Sequence, residues 1–234
     1  MIGGYPHRQE DSFFHLAIAR LQAGTDHHIS ESLFTMGGFP ITRVPKHFQA
    51  RCLAARPNIV VLQFGASDLT VPLRRHHHQS GQPIHASVST QAPTWLDRKK
   101  WWVRSRIGDA LNRKSVTPPE TYLATLTQLT RTLLEHQIIP VVISPFVFGG
   151  RRSDRLACDC TRRLQEILAA LPGAVYVDAY AALDRHPRRR MLRRDGSHLS
   201  LEGQRVVADE LFSALKGLLG QGAWAATNGS VRSV

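Results

Sequence analysis

The densest chemistry in the sequence lies near its carboxyl end, in Asp195-Gly196-Ser197-His198-Leu199-Ser200, which runs into Leu201-Glu202-Gly203-Gln204 and an Ala/Leu-rich stretch. An aspartate three residues ahead of a histidine, on a loop entering a helix, can hold the imidazole through Nδ1 and leave Nε2 free as a general base. The same spacing also arises as a helix cap with a histidine beside it, so the pair alone leaves both readings open. Other groups carry less. His76-His77-His78 are consecutive in a polar stretch, and three adjacent side chains do not converge on one metal ion. Cys158 and Cys160 flank Asp159 with no second cysteine pair, and with Cys52 they make three cysteines, an odd number that suits a reducing compartment rather than a disulfide framework. Arg188-Arg189-Arg190 and Arg193-Arg194 come just before Asp195; they are either a solvated basic face or, through Arg193 and Arg194, contacts to an anionic substrate. Trp101 and Trp102 beside Lys99 and Lys100 suit stacking on a sugar or base, or packing of a surface excursion onto the body. Ser12, in Glu10-Asp11-Ser12, precedes an amphipathic helix and is expected to cap it rather than to act as a nucleophile.

The elements that must position these residues alternate along the chain. A helix is expected from Asp11 to Leu21, with Phe13, Phe14, Leu16, Ala17, Ile18 and Leu21 on one apolar stripe. Ile29 to Thr35 has strand composition and runs into the breaker-rich Met36-Gly37-Gly38-Phe39-Pro40. A second helix is expected over Val44 to Ala55. The β-branched run Ile59 to Phe64 reads as a strand buried on both faces, ending in Gly65-Ala66-Ser67-Asp68. Residues 71–117 lose periodicity and read as a long basic excursion, with a short helix near Leu96 to Leu111. The pattern resumes at Thr117-Pro118-Pro119-Glu120, which opens a helix with Leu123, Leu126, Leu129, Leu133 and Leu134 on one face. A strand Ile138 to Ser144, a helix from Asp154 to Ala170, a strand Ala174 to Asp178, an Arg-rich connection and a last helix Leu201 to Leu219 complete the body. Residues 221–234 read as a loose tail, so 1–220 form one domain. Apolar strands alternating with helices specify α/β: a parallel sheet covered by helices on both faces, with its site at the carboxyl ends of the strands.

Composition bounds the class. The 234 residues, 42% of them hydrophobic, suffice for one domain with a sizeable core and exclude a disordered polycation. No stretch approaches the ~18 uninterrupted apolar residues of a membrane span. With no basic segment and apolar run at the start, the chain as written is expected to be cytoplasmic, a location that a further N-terminal segment would change. The net charge of +12 is concentrated in two segments, 71–115 with nine basic against two acidic residues and 151–194 with eleven against five. Both begin in or near loops at the expected site end, so the charge rims the site, and a solvated basic surface is favoured over nucleic-acid recognition.

The block Asp195 to Gln204 resembles the last conserved block of the SGNH (GDSL-type) hydrolases, with its Asp-x-x-His-Leu-Ser, glycine and closing helix. Gly65-Ala66-Ser67-Asp68, after a buried strand, is similar to the family's Gly-x-Asn-Asp block. Gly38 sits where the family places its oxyanion-hole glycine, and Thr117 to Pro145 resembles the family's midsection. The resemblance implies a three-layer α/β/α, flavodoxin-like fold. It also implies serine ester hydrolysis on a small-molecule or glycan ester without cofactor or metal: Asp195 and His198 catalytic, Gly38 and Ser67 in the oxyanion hole, and Asp68 near substrate. Two departures bear on catalysis. Ser67 replaces the family's asparagine, a shorter donor that can rotate away. And no Gly-Asp-Ser nucleophile block precedes the first helix: at the family's spacing it would lie immediately before Met1, so the first strand and the serine are expected to be absent from the chain as given. An internal start in a longer reading frame, a noncatalytic descendant, or a role for Ser12 would each account for this. Loss of a strand leaves a sheet edge that favours poor stability or self-association. The rival function is a noncatalytic domain that binds an anionic glycan, lipid headgroup or nucleic acid through its basic rim.

Overall fold

The computed structural model describes residues 9–25, 29–34, 40–70, 103, 114–146, 151–193 and 198–220. Three short parallel strands, β1 (Ile59–Gln63), β2 (Ile139–Ile143) and β3 (Val175–Val177), form a sheet in the order β1-β2-β3. The register pairs Ile59 with Ile139 and Gln63 with Ile143, and Val141 with Val175. Among the described residues seven α-helices surround it: α1 (Phe13–Gly24), α2 (Pro45–Arg51), α3 (Pro119–Glu135), α4 (Arg151–Ala169), α5 (Ala179–Asp184), α6 (Arg188–Met191) and α7 (Leu201–Gly220).

The period of two along each strand divides the core between two faces. Val60 and Leu62 of β1 and Phe64 just after it, with Val142 of β2 and Tyr176 of β3, face one layer, built from Phe48 of α2, the leucine stripe of α3 and Leu164 of α4. Ile59, Val61, Val141, Ile143, Val175 and Val177 face the other, built from Phe13, Ala17 and Leu21 of α1 and Val207, Leu211 and Leu215 of α7. The three-layer α/β/α arrangement is thus the one the alternation specified.

Helix ends follow local chemistry. Ser12, in extended conformation, caps α1, its Oγ accepting from the His15 N–H, as its position before the apolar stripe required. Pro119 opens α3, where a missing N–H costs nothing.

Three expectations are corrected. Residues 29–34 form no strand: a strand is a ladder, and this stretch lies across a cavity from β1 rather than paired with it. The helix expected over Val44 to Ala55 stops at Arg51 and tightens into a 3-10 turn at Leu53–Ala55, ended by Arg56 in the left-handed region at φ 46°. The Arg-rich connection contains two short helices, α5 and α6, because Asp178 caps the first through the Ala181 N–H and Pro187 opens the second. Apart from Val103, the expected short helix near 96–111 lies outside the described residues, as do most of the excursion and the tail.

Candidate active site

The loops after β1, β2 and β3 and the starts of α1 and α7 meet at the carboxyl end of the sheet, and a small set of buried polar groups fixes them. After β1 the chain turns through Gly65, whose φ of +114° suits glycine, and which approaches the next loop so closely that a Cβ would stand 2.5 Å from Pro145 Cβ. The Tyr122 hydroxyl reaches the Phe64 carbonyl at 3.4 Å, and the Leu69 N–H closes the turn on the Gly65 carbonyl at 2.9 Å. Ser67 sits on this turn, half-buried and lining a cavity.

Asp68 is only 1% exposed. Its Oδ1 accepts from the Ile41 N–H at 2.8 Å and from the Thr117 hydroxyl at 2.7 Å, while its carbonyl accepts from the Thr117 N–H at 2.9 Å. Burial pushes the carboxyl above its ordinary range, and those hydrogen bonds pull the other way. Asp68, expected near substrate, therefore ties the Ser67 turn to the chain entering α2 and to the chain entering α3.

His198, half-buried, precedes α7 in a short antiparallel bridge between Leu192 and Leu199. Its carbonyl accepts from the Arg193 N–H at 2.8 Å, and the Ser200 N–H donates to the Met191 carbonyl at 2.8 Å. Ser200 caps α7, its Oγ accepting from the Gly203 N–H at 3.0 Å. Gly203 is there for space: a Cβ would stand 2.3 Å from the Met191 carbonyl oxygen. One helical position on, the buried Gln204 accepts from the Phe13 N–H at 2.9 Å through Oε1, so the first turn of α7 is locked to the first turn of α1. Of the other expected site residues, Asp195, Gly38 and Arg194 lie outside the described residues.

Gln204, Thr117 and Ser144 were not singled out from the sequence as site-building groups. Ser144 Oγ accepts from the Tyr180 N–H at 2.8 Å, tying the exit of β2 to α5. The legible signal for Gln204 was an amide in the first turn of an amphipathic helix, one residue past a glycine; for Thr117 it was a hydroxyl directly before a Pro-Pro helix start.

Ser12 is fully buried and its Oγ lies 2.8 Å from His15 Nδ1, with His15 Nε2 3.5 Å from Glu31 Oε1. This places a Ser-His-Glu string at the start of α1, but a hydroxyl without exposure that already caps a helix has no approach to a substrate carbonyl.

The basic segment near His198 is partly neutralised. Arg188 pairs with Asp154, whose Oδ1 also accepts from the Tyr180 hydroxyl at 3.2 Å, and Arg185 lies 3.7 Å from Glu210. Arg189 and Arg190 are exposed, while Arg193 is half-buried beside His198. On α4, Cys158 is exposed and Cys160 buried, with its thiol pushed up to about 12 by burial, as residues two apart on a helix must diverge. Among the described residues no three His, Cys, Asp or Glu side chains gather as a metal site, and no helix is long and apolar enough to cross a membrane.

No protein-family model and no curated protein matches the sequence. Solved structures do. A lipase/acylhydrolase from Enterococcus faecalis is similar at 18% identity over 92% of this chain and 90% of its own, with a TM-score of 0.64. An acetylxylan esterase from Geobacillus stearothermophilus is similar at 16% identity over 87% and 80%, with a TM-score of 0.60. A protein assigned to the lipolytic G-D-S-L family from Desulfitobacterium hafniense DCB-2 is similar at 15% over 91% and 93%, with a TM-score of 0.57. The chain has the SGNH-hydrolase fold that its Asp195 to Gln204 block had suggested.

Proposed function

We propose that the chain is the body of a serine ester hydrolase whose nucleophile belongs to a Gly-Asp-Ser segment immediately before Met1. His198 Nε2 takes the proton of that hydroxyl as it attacks the ester carbonyl and returns it to the departing alkoxide; Asp195 holds the ring through Nδ1–H and balances the imidazolium charge. The Gly38 N–H and the Ser67 hydroxyl donate to the tetrahedral oxyanion, and water then repeats the sequence on the acyl-enzyme. Each step is proton transfer or nucleophilic attack, so no cofactor takes part. The substrate is a small-molecule or glycan ester, with Arg193 and Arg194 receiving an anionic part of it and Asp68 serving it through the turn that carries Ser67.

The observation that carries this reading is the bond from the Phe13 N–H to Gln204 Oε1, 2.9 Å, because it holds the chain entering α1 beside the loop that bears His198. The fold neighbours support it: the Geobacillus stearothermophilus acetylxylan esterase has a serine-to-alanine form described as a catalytic mutant. Hydrolysis of a short-chain aryl ester tests it. Activity is expected once an upstream Gly-Asp-Ser segment is joined to Met1, and lost on His198→Ala; a longer form that is shown to fold and remains inactive refutes the reading. Replacing Ser67 by Asn in the active form is expected to raise the rate, since a weak or absent oxyanion donor costs ~10²–10³.

A further inference from the structure

A single turn of helix stands behind His198. α6 is four residues long, three of them arginine, and a helix of that length gains too little from its own hydrogen bonds to hold its place. Yet its last two carbonyls seat the chain that follows His198: Arg190 accepts from the Ser200 hydroxyl, and Met191 from the Ser200 N–H at 2.8 Å. The His198 carbonyl itself accepts from the Arg193 N–H at 2.8 Å, beside the Leu192–Leu199 bridge that follows α6. The position of His198 is therefore set by the position of α6.

Two ties hold α6 from different sides. Met191 is buried in the layer of α1 and α7. Arg188 pairs with Asp154 in the first turn of α4, a helix whose Ala157, Cys160 and Leu164 belong to the layer on the other face of the sheet. An acidic residue in a first helical turn is ordinarily accounted for by the helix dipole. Here, however, both carboxylate oxygens reach other elements, and the side chain is only 16% exposed. Oδ2 faces Arg188, and Oδ1 accepts from the Tyr180 hydroxyl at 3.2 Å. Burial first, and then the Asp154 charge, raise that hydroxyl above its ordinary range, so it remains a donor. Tyr180 is in turn fixed at the β2 exit, its N–H donating to Ser144 Oγ at 2.8 Å. One carboxylate thus joins α4, the start of α5 and α6 at the carboxyl end of the sheet.

We infer that Asp154 is a positioning residue for His198: acting through Arg188, it holds α6 in the place from which the Arg190 and Met191 carbonyls seat the His198 loop. Its bearing on catalysis rests on the serine-hydrolase reading; its hold on the loop does not.

The discriminating variant is Asp154→Asn, which keeps an oxygen to accept from Tyr180 and removes the charge that faces Arg188. Arg188→Ala removes the other partner, at a site 46% exposed, and supplies a second measurement should Asp154→Asn fold poorly. Arg188→Lys keeps a cation. In the full chain, amide exchange at Arg193 and Ser200 is compared with that at Val142 and Ile143 in β2, and the His198 ring resonance, assigned by its loss in His198→Gln, is followed in the same samples. Exchange at Arg193 and Ser200 is expected to quicken about fivefold in Asp154→Asn and in Arg188→Ala, with β2 unchanged and the His198 resonance displaced. The double variant should exceed neither single one, and Arg188→Lys should restore most of the protection. In the longer form that carries Gly-Asp-Ser, Asp154→Asn should lower kcat for the aryl ester about fivefold and leave KM unchanged. Unaltered exchange at Arg193 and Ser200, an unmoved His198 resonance, additive effects in the double variant, or quickening that reaches β2 equally would each overturn the inference, the last by making Asp154 a general prop of the fold. An active longer form whose kcat ignores Asp154→Asn overturns it too. An inactive longer form whose Arg193 and Ser200 amides and His198 resonance respond as expected retains the inference and defeats the serine-hydrolase reading.

Discussion

Gly203→Ala and Gly217→Ala place the same methyl group on one helix with opposite consequences. Both glycines lie inside α7, where replacing glycine by alanine gains about 1 kcal/mol of helix propensity. At Gly217 nothing stands within 4 Å of the added Cβ, so that gain is kept. At Gly203 the Cβ would stand 2.3 Å from the Met191 carbonyl oxygen and 3.2 Å from Leu199 Cδ2, and the helix must move out by about an ångström to restore contact distance. Overpacking of this kind costs about 1–3 kcal/mol. The shift also strains the 2.8 Å bond from the Ser200 N–H to the same carbonyl, worth about 1 kcal/mol. Subtracting the propensity gain leaves Gly203→Ala destabilised by about 2 kcal/mol, or a melting temperature lower by roughly 4–8 °C for a chain of this size. Gly217→Ala should melt a few degrees higher than the parent. Urea denaturation with unchanged m-values checks both. If Gly203→Ala proves as stable as Gly217→Ala, the close approach of α7 to α6 is not what fixes the His198 loop.

Asp68→Ala leaves the Ile41 N–H and the Thr117 hydroxyl without their acceptor in a buried site, and should cost about 1–3 kcal/mol in a urea titration. Because burial raises the Asp68 carboxyl above its ordinary value, the folded state holds that proton more firmly than the unfolded chain does. Relative to Asp68→Asn, the parent should therefore lose stability as pH rises through the window above ~4, and a gain over that window would refute the assignment. Ser12→Ala removes a helix cap and should cost about 1 kcal/mol while leaving ester hydrolysis by the longer form intact; abolished hydrolysis with an intact fold would instead make Ser12 the nucleophile. At pH 8 an alkylating reagent should modify the exposed Cys158 and spare Cys160 in the folded chain, as mass spectrometry of the digest would show.

Much of this fold was legible because its signals are local. The apolar runs Ile59 to Phe64 and Ile138 to Ser144, the leucine stripe of α3 and the Ser12 cap each declare themselves within a few residues. Ile29 to Thr35 misled for a non-local reason: composition grants a segment the capacity to be a strand, but only a neighbour at ladder distance makes it one, and residues 29–34 have the cavity beside them. Val44 to Ala55 misled because its apolar spacing continues past the place where the backbone tightens, and nothing in Cys52-Leu53-Ala54-Ala55 marks that change. For the candidate site, a motif singled out His198 and Ser67. Gln204, Thr117 and Ser144 were not singled out, since each earns its role from a partner between 36 and 191 residues away.

Those long-range ties share one location, and this has a mechanical consequence. Burying a polar side chain costs free energy unless a partner replaces water, so such groups persist where loops must be satisfied without a ladder. Asp68 joins the β1 exit to the chain entering α2 and α3, Ser144 joins the β2 exit to α5, Thr161 reaches the Pro145 carbonyl at 3.4 Å, and Gln204 joins α7 to α1. All four act on the loops and helix starts at the carboxyl end of the sheet. By contrast, the buried Thr130 hydroxyl merely bonds the Leu126 carbonyl within its own helix. A site assembled from several loops needs its groups held to within a fraction of an ångström, which apolar packing, being non-directional, does not by itself supply. Directional bonds from buried side chains do: Thr161, midway along α4, fixes the β2 exit to a helix body, and the others fix loops and helix starts against one another. A nucleophile arriving ahead of α1 would thus enter a frame whose other members are already mutually fixed. Inserting a single residue between that serine and Met1 in the longer form should therefore abolish hydrolysis while leaving its melting temperature unchanged.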